Sequence, residues 1–74
     1  MPTIAILKQI RSLGYHVSVH ELKGSWLGSM PPSIEMHAVR LEGEDQHIHI
    51  ARVELAEPDA KDKAACILAE MVGI

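Results

Sequence analysis

The chain has 74 residues, 47% of them hydrophobic and 23% charged, enough for one small folded domain over residues 1–74 and too few for two. Seven basic residues against ten acidic ones give a net charge of −3 with histidine neutral. That sign disfavours general attraction to nucleic-acid phosphates, and nothing in the pattern points to DNA. Apolar runs such as residues 4–7 and 64–69 fall far short of the ~20 residues that cross a bilayer, so no membrane helix is expected. The opening Met1-Pro2-Thr3 carries no basic lead, which predicts no secretory signal and a cytoplasmic setting. Cys66 is the single cysteine and reads as a small packed residue rather than a nucleophile. With no Phe, one Tyr and one Trp, aliphatic side chains must fill a thin core, and a domain of this kind gains burial by association.

Over residues 3–13, Ile6, Leu7, Ile10 and Leu13 recur at helical spacing with Gly14 at the stop position, predicting an amphipathic helix. Residues 15–22 alternate Tyr15, Val17 and Val19 with His16, Ser18 and His20, a strand pattern. Residues 23–33 contain two Gly, two Pro and three Ser, a loop longer than most hairpin connections. It carries the only tryptophan, Trp26, beside Leu27 and Met30. Trp is enriched at binding hot spots and Met adapts to varied surfaces, so these three are candidate partner contacts.

Residues 34–41 and 46–55 read as strands joined by Glu42-Gly43-Glu44-Asp45, a turn short enough only for an antiparallel hairpin. From Pro58 the period becomes helical, with Ala60, Ala64, Ile67, Leu68 and Met71 on one stripe. Pro58 suits the first helical position, Asp59 the positive end of the helix dipole, and Gly73 the position past the last turn. The expected architecture is α+β: an αβββα two-layer sandwich, a three-stranded antiparallel sheet with two helices on one face.

Both hairpin strands carry apolar residues of both parities. Ile34, Met36, Ala38, Ile48 and Ile50 are expected to face the helices, leaving Val39, Leu41, Ala51, Val53 and Leu55 on the open side. Val39, Leu41 and Val53 then become candidate partner contacts, because contiguous exposed apolar patches mark binding sites. The same facing gathers His16, His20, His37, His47 and His49 on the open side, where His47 and His49, with His37 or Glu35 on the neighbouring strand, would offer ligands to a zinc-like ion. Alternation alone puts polar residues there, and no cysteine pair reinforces the set. Ser18 between His16 and His20 lies in no nucleophile motif, and the chain has no phosphate loop or zinc-protease motif. The expectation is a non-enzymatic chain without a cofactor.

The element order, the long first loop, Ala60-Lys61 followed by Ala64-Ala65, and Val39-x-Leu41-x-Gly43 at the end of the second strand resemble the double-stranded RNA-binding domain family over nearly the whole chain. The resemblance implies this fold and shape-based recognition of an RNA duplex through the first helix, the first loop and the start of the second helix. Lys8, Arg11, Lys61 and Lys63 would then be the RNA contacts. Glu57 and Pro58 stand where the family carries a lysine pair, and Pro31-Pro32-Ser33 where it has Gly-Pro followed by His. Compact members of the family also serve as protein-interaction or dimerisation modules, which suits the acidic charge here. The expected function is a small interaction module that binds a protein partner or itself. RNA-duplex binding is the alternative and a metal-binding histidine cluster the third reading.

Overall fold

In a computed structural model, which describes residues 2–24 and 30–74, the order is α1 (Pro2–Ser12), β1 (His16–Leu22), β2 (Ser33–Glu42), β3 (Asp45–Glu54) and α2 (Ala60–Val72). Helical spacing puts Leu7 and Ile10 on the buried side of α1 and leaves Lys8, Gln9 and Arg11 in solvent. Past its end, Gly14 takes φ +95° and its N–H donates to the Arg11 carbonyl at 2.9 Å, turning the chain into β1.

The three strands pair antiparallel in the order β1-β2-β3. Gly43 at φ +63° begins the β2–β3 turn, the glycine-first arrangement of a tight hairpin. Because this turn has two central residues, Glu42 pairs with Asp45, and every even-numbered residue of β2 faces an odd-numbered residue of β3. The apolar sets therefore change parity across the hairpin. Ile34, Met36 and Ala38 turn toward the helices as expected, but they share that face with Ala51 and Val53, while Ile48 and Ile50 lie on the open side with Val39 and Leu41. The sequence expectation carried one parity through both strands, which the turn geometry forbids.

α2 begins after Pro58 rather than on it, because Asp59 adopts a left-handed backbone, φ 54°, that interrupts the helical run. Its far end closes with Gly73 at φ +87°. The Gly73 N–H donates to the Glu70 carbonyl at 3.2 Å and the Ile74 N–H to the Ala69 carbonyl at 2.9 Å, the paired bonds of a Schellman motif. α2 lies over β2 and β3, and α1 lies beside α2 and over β1. The core between the layers holds Leu7, Ile10, Val17, Ile34, Met36, Ala38, Ala51, Val53, Ala64, Ala65 and Leu68. The small alanines of α2 let the helix sit close to the sheet. Among the described residues no helix is long and apolar enough to cross a membrane.

Candidate interaction face

With both helices on one side, the other face of the sheet is left uncovered by the described residues. Its hairpin end is aliphatic: Ile48 pairs with Val39 and Ile50 with His37, while Leu41 pairs with Gln46. Leu41 is 72% exposed, Ile48 52% and Ile50 46%, and Val39 is half-buried among them. Four branched aliphatic residues thus stand side by side on two rigid strands, where alternation would ordinarily put polar ones.

The other end of this face is polar. His20 lies opposite Glu35, its ring 4.8 Å from that of His37 and tilted by 55°. His37 Nε2 is 2.6 Å from Glu35 Oε1, and His20 Nε2 is 3.2 Å from the Ser18 hydroxyl. Arg52 Nε donates to the buried Ser33 hydroxyl at 3.1 Å. These residues satisfy one another, which sets the polar end apart from the unpartnered aliphatic end.

The parity change also separates the histidines. His16, His20 and His37 stay on the open face, whereas His47 and His49 turn to the helix side, opposite Arg40 and Ala38. The expected trio of His37, His47 and His49 is therefore split by the sheet. Among the described residues no group of three or more metal-ligating side chains is positioned to hold an ion. On the helix side His49 packs edge-on against Tyr15 at 5.7 Å, Arg40 lies 5.1 Å over the same ring, and His47 Nε2 approaches Glu42 Oε2 at 3.0 Å. The Arg40 Nε is buried without a hydrogen-bond partner, the guanidinium being held instead by the ring and by a 3.4 Å bond from Nη2 to Glu42.

Of the partner contacts expected from sequence, Val39 and Leu41 lie on the open face. Val53 does not: it is 6% exposed, packed under α2 in the core. Ile48 and Ile50 take its place, and the two-residue turn is the sequence signal that would have identified them. Met30 is exposed and borders a cleft of about 370 Å³ with Leu22, Gly24 and Arg52. Trp26 and Leu27 lie outside the described residues.

The cations named for RNA are all exposed. Lys63 Nζ is 3.6 Å from the Glu57 carboxylate, and Lys61 borders a cleft of about 320 Å³ lined mainly by Ile4, Leu7, Val19 and Met36. Asp62 accepts a hydrogen bond from Thr3 between them. An acid thus sits beside each lysine at the start of α2, where a phosphate contact needs an unopposed positive field.

Comparison with protein-family models, with characterised proteins and with solved structures found no match. The class defined by fold and face is a small αβββα sandwich with an uncovered sheet, and its function is read from that geometry.

Proposed function

We propose that the protein is a non-enzymatic, cytoplasmic interaction module that self-associates through its β2–β3 hairpin, with Ile48 and Ile50 in the contact. The observation that supports this reading is the cluster of Val39, Leu41, Ile48 and Ile50 on an otherwise uncovered sheet face. Leaving such a cluster in water forfeits about 25 cal/mol for each Å² of apolar surface, a penalty that contact with further apolar side chains reduces. A second copy is the simplest source of them, since it brings its own Ile48 and Ile50 beside the first. The resemblance to duplex-RNA-binding domains fits this role, because dimerisation needs the fold and not the lysine pair.

Sedimentation across a broad range of concentrations tests the reading. The wild-type chain should pass from monomer to dimer, and Ile50→Asp should raise the dissociation constant by about a hundredfold, the cost of putting a charge in an apolar contact. A wild-type chain that stays monomeric throughout would overturn it. If, in addition, an RNA duplex at low salt shifted the amide resonances of Lys8, Arg11, Lys61 and Lys63, and the shifts vanished as salt rose, RNA binding would replace it.

A further inference from the structure

We infer that two copies join edge to edge, β3 against β3 in antiparallel register, to make one continuous six-stranded sheet with all four helices on the same side. This rests on the self-association reading and assigns its geometry. A stack of two open faces is the alternative arrangement.

The first ground is the edge itself. In the order β1-β2-β3 the outer side of β3 has no strand partner among the described residues. Edge strands are ordinarily blunted by brevity, proline, charged side chains or a bulge. β3 is 10 residues long, contains no Pro, carries its charged residues Asp45, Arg52 and Glu54 toward its ends rather than at its centre, and keeps an unbroken register with β2. Hydrogen-bonded pairs alternate along a hairpin starting from the pair that closes the turn, here Glu42 and Asp45. The odd-numbered residues of β3 therefore bond inward to β2, and the bond from the Leu55 N–H to the Pro32 carbonyl at 2.9 Å continues that series. Gln46, Ile48, Ile50 and Arg52 consequently direct their N–H and C=O groups outward.

The second ground is what flanks this edge. On the open face it carries Ile48 and Ile50. On the helix side α2 presents Ile67 and Met71, both exposed, one turn apart. Asp62, on the opposite flank of α2, bonds to Thr3 of α1, so Ile67 and Met71 lie on the flank away from α1, the one that overlooks β3. At ~1.5 Å per residue for α2 against ~3.4 Å for β3, the last turns of α2 reach the level of the middle of β3. Apolar side chains thus border the unpaired backbone both above and below. β1, the other edge, is shorter at 7 residues and carries His16, Ser18 and His20 on the open face.

The third ground is self-complementarity. With the twofold axis at His49, Ile48 of each copy faces Ile50 of the other, and Gln46 faces Arg52. The outward groups of these four residues form roughly eight inter-chain bonds. Between Asp45 and Val53 no carboxylate opposes a carboxylate and no Arg opposes an Arg; the one self-pair is His49, neutral in its unprotonated form, at the axis, and the two α2 helices meet antiparallel through Ile67 and Met71. A twofold contact requires one patch to complement itself, and this register achieves that.

Amide hydrogen exchange on the wild-type chain, measured at low and high concentration, reads the arrangement directly. Gln46, Ile48, Ile50 and Arg52 should gain about tenfold or more protection at high concentration. In a Cys66→Ser background, His49→Cys should oxidise to a covalent dimer, because opposed non-hydrogen-bonded positions lie within disulfide reach. A dimer whose Ile48 and Ile50 amides stay unprotected and whose Cys-substituted position 49 fails to cross-link would overturn the edge arrangement and leave self-association standing. A chain that is monomeric at every concentration would overturn both.

Discussion

Gly24 shows how one residue ties a long loop to the sheet. It holds φ +84°, and a Cβ there would sit 2.5 Å from the Met30 carbonyl oxygen and 3.0 Å from both the Pro31 carbonyl carbon and the Pro32 nitrogen. The chain leaving β1 thus touches the chain about to enter β2, backbone against backbone. Gly24→Ala should cost about 2 kcal/mol or more, since the methyl meets rigid backbone as well as an unfavourable φ. Gly43→Ala is the comparison: φ is +63° but nothing lies within 4 Å, so only the conformational part is lost, about 1 kcal/mol. Urea unfolding of both variants measures the difference, and equal losses would show that the close approach contributes nothing. A glycine among Ser and Pro residues is readable from sequence as a loop. The close approach is not, because it depends on residues six to eight positions later.

At the scale of elements, helices and strands were legible because period and punctuation agree along this chain: Gly14, Gly43 and Gly73 fall where α1 ends, where the hairpin turns and where α2 ends. Facing was less legible. Val39 and Leu41 were placed on the open face correctly, but Val53 and Ile50 exchanged roles. Both strands are apolar at both parities, and the count of turn residues decides which set of β3 shares a face with which set of β2. Helix packing was hidden altogether, because the apolar contact between α1 and α2 and the hydrogen bond that accompanies it join residues far apart in the chain. Thr3, buried, donates its hydroxyl hydrogen to Asp62 Oδ1, fastening the first turn of α1 to the first turn of α2. Asp62 also lies near the positive end of the α2 dipole. A double-mutant cycle with Thr3→Val and Asp62→Ala should give a coupling of about 1.5 kcal/mol, the usual contribution of a hydrogen bond to a charged acceptor. Strictly additive losses would mean the helices are held by apolar packing alone.

For the whole molecule, shape explains why association is favoured. The radius of gyration is 13.1 Å and the narrowest extent 15 Å, whereas a compact chain of this length would have a radius near ~11 Å. One helix layer on one sheet makes a slab with much surface for its volume, and the hairpin reaches beyond the end of β1. Such a domain has a thin stability margin, so any contact made only by the folded form raises its melting temperature in proportion to the logarithm of concentration. Wild-type Tm should therefore climb by about 4 °C for a tenfold increase in chain concentration. Two variants separate the surfaces that could be responsible. Ile67→Asp, on the flank of α2 above the β3 edge, should abolish the concentration dependence, whereas Leu41→Asp, on the open face and away from that edge, should leave it in place. The reverse pattern would mean that the sheets stack face to face. A flat Tm in the wild-type chain would mean that the chain does not self-associate.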